Sequence, residues 1–276
     1  MGTRCGVHDR EFTIGFLRGG SRGLVWPLRF GYKRGVMATS WTSALKQALP
    51  ANMGRSCDIE VEQAYRNGWH MDPAKQYCPR CGVSAGSAGF HEKGCSFCVK
   101  QRIQWDRIVR ISSYTGQVAH WIISMKFRRD WSWATWFAEQ LADPVRDKCV
   151  QDRSVICPVP MHWLRRVRRG YNQAHLMSIA LSRATAIPWA ALLKRTRYTH
   201  PQLTVAPTKR QENVLDSFAT TQINLDGWHI WLVDDVKTTG ATLNACARLL
   251  RRSGAKFISV AVAAVANPQE THYRNV

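Results

Sequence analysis

The chain has 276 residues, enough for one large or two modest domains, and its 45% hydrophobic content can supply a real core. No uninterrupted apolar run approaches the length of a membrane span, and the N-terminus carries no apolar leader with a cleavage site, so the composition argues against an integral membrane protein and the expectation is a soluble, cytoplasmic one. A formal charge of +20 predicts attraction to polyanions such as nucleic acid, phosphorylated substrates or membrane surfaces, and says nothing about fold.

In chain order, residues 1–76 read as an N-terminal extension, largely disordered or loosely helical. They are rich in Gly, Arg and Ser around Arg18, have scattered Trp26, Trp41 and Trp69, and show no sustained periodicity and no phosphate or metal motif. A basic nucleic-acid arm and translated sequence ahead of a start at Met71 are the competing accounts; acids at Asp9 and Glu11 weaken a transit peptide. Residues 77–100 carry a stronger signal. Cys78-Pro-Arg-Cys81 and Cys95-Ser-Phe-Cys98 are two C-x-x-C knuckles with a Gly- and Ser-rich stretch between them, the ligand spacing of a four-thiolate zinc ribbon. Four thiolates leave no open coordination position, so the expected Zn²⁺ is structural. Disulfides are the alternative, disfavoured in a reducing cytosol, and His91 could replace a thiolate. Cys5, Cys57, Cys149, Cys157 and Cys246 lack such spacing and read as ordinary small side chains.

Residues 101–266 alternate strands and helices, which predicts an α/β domain with a parallel sheet. A strand near Ile108–Tyr114 precedes a helix from about Gly116, with Val118, Ile122, Ile123 and Met125 on one face; Lys126-Phe-Arg-Arg129 and a Trp-rich helix with Trp131, Trp133 and Trp136 follow. Interleaved bases and aromatics, led by Lys126, could bind single-stranded nucleic acid; an amphipathic helix pair with a solvated basic edge is the alternative. The strand Ser154–Pro160 ends in a Pro-locked turn, and Arg165, Arg166, Arg168 and Arg169 follow it. Guanidinium forks suit phosphate, yet four cannot converge on one ligand, so Arg169 is the candidate for a bound phosphate group and Arg165, Arg166 and Arg168 for nucleic-acid phosphates. The polar, basic stretch Leu193–Phe218 is either a closing lid, with Lys209 or Arg210 reaching the ligand, or an ordinary surface loop.

The most informative stretch is Ile230–Leu243. An apolar strand ends in Asp234 and Asp235, then Lys237, Thr238, Thr239, Gly240, Ala241 and Thr242 run into a helix whose unpaired N–H groups and dipole favour phosphate. Two acids beside a phosphate cradle suit a ligand with both a diol and a phosphate, the acids accepting from ribose hydroxyls or holding Mg²⁺ through water. The helix ends in basic residues at Gly254, Phe257–Val265 is a continuous apolar strand of a sheet covered on both faces, and residues 267–276 form a polar tail.

The sequence V-D-D-V-K-T-T-G-A-T resembles the phosphoribosyl-pyrophosphate (PRPP) loop of type I phosphoribosyltransferases, and the chain is similar most of all to the ComF competence-protein family. Matching positions are Tyr114, Gly116 and Lys126-Phe127; Pro158, Pro160 and Arg169-Gly-Tyr-Asn-Gln173; Arg195, Thr199, Gln202, Leu203, Arg210, Asn213, Val214 and Phe218. The resemblance covers about residues 77–266 and implies a parallel-sheet type I phosphoribosyltransferase fold preceded by a small four-Cys zinc ribbon. It implies displacement of pyrophosphate from C1′ of PRPP by a nitrogen nucleophile, with Mg²⁺ on the pyrophosphate and ribose oxygens. Asp234 and Asp235 would then be catalytic, Thr238–Thr242 would hold the 5′-phosphate, Arg169 and Arg210 would reach the pyrophosphate, and Lys237 would place a cation beside the acids. Thr238 stands where base-using purine members carry Asp, so no carboxylate is evident to take the nucleobase proton. The implied partners are PRPP or a related nucleotide, single-stranded DNA and competence-machinery proteins; the alternative function is a non-catalytic nucleic-acid-binding factor whose PRPP pocket is a sensor or remnant.

Overall fold

The computed structural model describes residues 55–84, 94–149, 153–161, 170–196, 217–221 and 224–267. These fall into helices α1 (Arg55–Arg66), α2 (Gly116–Phe127), α3 (Ser132–Asp147), α4 (Gln173–Thr185) and α5 (Ala241–Arg252), and strands β1 (Arg107–Ser113), β2 (Ser154–Pro158), β3 (Leu193–Arg195), β4 (Phe218–Thr220), β5 (His229–Lys237) and β6 (Phe257–Val265). The main sheet is parallel throughout, in the order β1-β6-β5-β2, and β3 and β4 form a separate antiparallel pair.

Near-continuous burial along β5 and β6 follows from cover on both faces. On one face Trp231, Val233, Ala261 and Ala263 meet α1 to α4; on the other Ile230, Leu232, Val260 and Val262 meet α5, the β3–β4 pair and the cysteine knuckles. Small alanines on the first face leave room for indoles. Trp121, Trp133 and Trp231 are fully buried there, and the rings of Trp121 and Trp133 stack with centroids 4.7 Å apart. The Trp-rich helix is therefore a core element: Trp133 and Trp136 are buried and offer no stacking surface to a nucleic acid.

The expected disordered extension of residues 1–76 needs a correction at its C-terminal end. Residues 55–66 form a helix whose Cys57, Val61 and Ala64 pack into the indole-lined core, and Trp69 meets Trp121 edge-on at 5.0 Å. Downstream, the Asp72 carboxylate accepts from Arg110 at 2.6 Å and from the Ser113 N–H, while its own N–H donates to the Ile111 carbonyl, so this segment covers the outer edge of β1. Residues 1–54 lie outside the described residues, as does the polar tail from residue 268 onward. The stretch read as one long loop begins and ends in strands: Leu193 pairs with Thr220 and Arg195 with Phe218, with residues 197–216, including Arg210, outside the described residues.

Candidate active site and metal centre

Asp234 and Asp235 sit one and two residues past Val233, the last fully buried apolar position of β5, at the carboxyl edge of the parallel sheet. Ligands of open α/β sheets bind at this edge because loops and helix N-termini converge there. A cleft with about 210 Å³ of solvent space opens between β5, the end of β2 and the first turn of α4; Tyr114, Lys126, Gln173 and Arg195 line it with the two acids. It continues into a smaller recess of about 50 Å³ bounded by Thr238–Thr242. Gly240 caps α5 at φ 79°, a left-handed backbone that glycine adopts without strain, and the Ala241 N–H of the first α5 turn donates to Thr239 Oγ1 at 3.3 Å.

The electrostatics are those of a charged pair held partly out of water. Lys126 Nζ, at the end of α2, lies 3.3 Å from Asp235 Oδ2, with side-chain exposures of only 10% and 13%. The Asp235 N–H donates to Asp234 Oδ1 at 2.9 Å. Burial, and then the neighbouring Asp235, push the Asp234 carboxyl well above the usual carboxylate range, against the opposing pull of that N–H, Lys126 and Arg195. Two acids whose negative charges disfavour each other present hard oxygen donors of the kind Mg²⁺ takes, so the residues fit that ion chemically.

Several sequence expectations resolve differently. Lys126, a nucleic-acid candidate, belongs to the cleft. Lys237, expected beside the acids, is 6% exposed and lines the smaller recess together with Asp234. Arg165, Arg166, Arg168 and Arg169 lie outside the described residues. Three cleft residues carried no assigned chemistry. Tyr114 and Arg195 were visible as motif matches, and Gln173 is 1% exposed with neither amide atom hydrogen-bonded among the described residues. Asn172 is structural: its Oδ1 accepts from the Ala174 N–H as the α4 cap, and its Nδ2 donates to the Val159 carbonyl.

The second site is the cysteine cluster. Cys78, Cys81, Cys95 and Cys98 are all buried, with sulfurs within 4.8 Å of one another. The Cys78–Cys98, Cys81–Cys95 and Cys95–Cys98 separations are 3.8, 3.6 and 3.8 Å. A tetrahedron with metal–sulfur bonds of roughly 2.3 Å requires edges of about 3.8 Å, so the four sulfurs fit one ion. The knuckles are locked from outside: Arg80 donates to the Cys98 and Gln101 carbonyls at 2.6 and 2.9 Å. A side chain on Gly94, at φ 111°, would lie 2.6 Å from Cys98 Sγ.

A family model described as "Phosphoribosyl transferase domain" matches residues 167–275. Competence protein F of Haemophilus influenzae is 33% identical over 193 residues, 66% of this chain and 82% of that protein. The chain belongs to the competence protein F family. DNA utilization protein YhgH of Escherichia coli K12 is 31% identical over 67% of this chain and 82% of its own length, and Competence protein ComFC of Bacillus subtilis 27% identical over 64% and 72%. This family membership accords with the parallel sheet and the four-cysteine cluster, the architecture expected from the sequence. Among the described residues no helix is long and apolar enough to cross a membrane.

Proposed function

We propose that this competence protein F relative binds PRPP with Mg²⁺ in the cleft at the end of β5 and transfers its phosphoribosyl group to a nitrogen acceptor, in the service of DNA uptake or DNA use. The observation that carries the reading is the convergence of Asp234, Asp235 and Lys126 with the Thr238–Thr242 recess at one edge of a parallel sheet. The recess takes the 5′-phosphate on α5 amides and threonine hydroxyls. The acids accept from the ribose hydroxyls, and their negative charge faces the cation that grows at C1′ as the bond to pyrophosphate breaks. The acceptor nitrogen forms the new bond to C1′, and pyrophosphate leaves with the electron pair. Mg²⁺, when bound, supplies positive charge to the pyrophosphate and ribose oxygens. Lys126 holds Asp235 in place and offsets the paired acids when the ligand is absent. The four-cysteine site takes a structural Zn²⁺, in keeping with its sulfur spacing.

Titration calorimetry of PRPP and Mg²⁺ into wild type and the Asp234→Asn/Asp235→Asn double variant tests the reading. Micromolar binding, worth about 8 kcal/mol, should appear in the wild type and vanish in the variant. Absence of binding to wild type in calorimetry and in tryptophan fluorescence would sink it. Pyrophosphate release across an acceptor panel then tests turnover.

A second reading, single-stranded nucleic-acid binding, is favoured by a different surface. Phe97 and Val99 of the second knuckle are 40% and 48% exposed, beside exposed Lys100 and Arg102, in a chain of net charge +20. An exposed ring among cations is a stacking platform. Salt-sensitive binding of single-stranded DNA that survives the double Asn substitution and weakens in Phe97→Ala supports it; binding unchanged by Phe97→Ala removes this surface from consideration.

A further inference from the structure

The metal site and the phosphate recess are joined by a side chain for which the proposed chemistry has no use. Trp105 is 4% exposed and packs in the core that contains the four cysteines. Its Nε1 donates to the carbonyl of Arg80, inside the first knuckle, at 2.8 Å. The far end of the same indole reaches the other site: a Cβ built on Gly240 would lie 3.0 Å from Trp105 Cη2 and 3.4 Å from Lys237 Cε. Beside it the Gln104 N–H donates to Asn244 Oδ1 in the first turn of α5, at 2.9 Å. Lys237 immediately precedes Thr238, and its carbonyl accepts from the Ala266 N–H at 2.9 Å.

Packing gives this connection a direction. An ion bound by the four sulfurs would fix the first knuckle, and with it the Arg80 carbonyl that holds the Trp105 indole against Gly240. We propose that Trp105 is a positioning residue that makes metal binding at the four cysteines and phosphate binding at Thr238–Thr242 mutually reinforcing. The inference rests on the reading of that loop as a phosphate site. Linkage makes the effect reciprocal: whatever factor the metal adds to phosphate affinity, phosphate adds to metal affinity.

The test uses full-length, zinc-loaded protein and ribose 5-phosphate, which lacks pyrophosphate and acceptor. Calorimetry first measures ribose 5-phosphate binding; zinc release to the chromogenic chelator 4-(2-pyridylazo)resorcinol is then followed with and without saturating ligand. Release should slow by at least about fivefold, the low end of typical site-to-site coupling. Trp105→Leu, loaded with zinc, should lose that protection. The wild-type comparison needs no variant, so the proposal stays exposed to test even where Trp105→Leu fails to fold. Bound ligand with an unchanged release rate overturns the coupling and leaves the phosphate site standing. Failure of ribose 5-phosphate to bind the wild type removes both. Protection that survives Trp105→Leu overturns the assignment to that indole.

Discussion

Lys126 pairs with Asp235 at 3.3 Å, and its removal leaves two carboxyls facing each other in a half-closed cleft. Lys126→Met should cost about 2 kcal/mol in urea denaturation, below the 3–5 kcal/mol of a fully buried pair because some water reaches both groups. Adding Asp235→Asn should recover much of that loss, since the carboxylate left unpaired goes with it; additive losses in the double variant would show that the pair carries no energy of its own. A second residue sets the acid behaviour of the fold. His229, 2% exposed with Nε2 against Ser259 Oγ at 2.8 Å, is pushed down from 6.5 to about 4, first by burial and then by Arg107, with Asp106 opposing. Above pH 6.5 the folded and unfolded chains both hold it neutral. As pH falls from there toward 4 only the unfolded chain takes up the proton, so stability drops by on the order of 3 kcal/mol across that window and, for this group, no further below it. His229→Gln should flatten this part of the stability profile, and an equal slope in the variant would assign the acid sensitivity elsewhere. Asp234 and Asp235 were legible in the sequence because an apolar run stops at them. The slip in the strand and the Lys126 contact were not. The ladder pairs Asp234 with Val262 and Val236 with Ala264, and Val236 joins the same core as Trp231 and Val233, so the two-residue alternation slips at Asp235. Lys126 reaches Asp235 from another element 109 positions away, which no local pattern encodes.

At the scale of elements, what the sequence displayed follows from how many residues repeat a signal. β6 is nine residues of nearly unbroken apolar character, and α5 combines a Thr- and Gly-rich start with a clear apolar stripe, so both were readable. Helix α1 has three buried positions, Cys57, Val61 and Ala64, among charged neighbours, and its partners Trp121 and Trp133 come from α2 and α3. Propensity alone rarely fixes a twelve-residue helix; packing does. Two substitutions two positions apart measure this. Val61→Asp places a carboxylate at a 7% exposed site against the core and should cost about 2–4 kcal/mol, whereas Ile59→Asp at 68% exposure should stay within about 0.5 kcal/mol of wild type. Equal urea midpoints for the two variants would mean that the helix does not pack there in solution.

For the whole molecule, the question is whether the cysteine knuckles are a separate module, as a boundary at residue 100 implies, or part of the sheet's own core. Contacts favour the second. The four cysteines share one buried cluster with Ile108 of β1, Val265 of β6 and Leu243 and Leu250 of α5. A Cβ on Gly82, at φ 77°, would lie 2.9 Å from Val265 Cγ2 and 3.3 Å from Ile108 Cδ1, so the knuckle backbone is pressed directly on the sheet. The Ile108 N–H donates to the Pro79 carbonyl at 2.9 Å, making the first knuckle an edge partner of β1. A module joined by so much dry contact could not lose a metal bound there privately. Binding free energy at a structural site is folding free energy, and here the structure it supports includes β1 and the α5 face. Excess chelator should therefore lower the melting temperature of the entire unit in one transition, with tryptophan fluorescence from the opposite face and far-ultraviolet dichroism moving together; Cys78→Ser should reproduce the shift and abolish bound zinc. Two separated transitions, with the indole-lined face melting at its original temperature after metal loss, would show instead that the knuckles fold on their own and merely rest against the sheet.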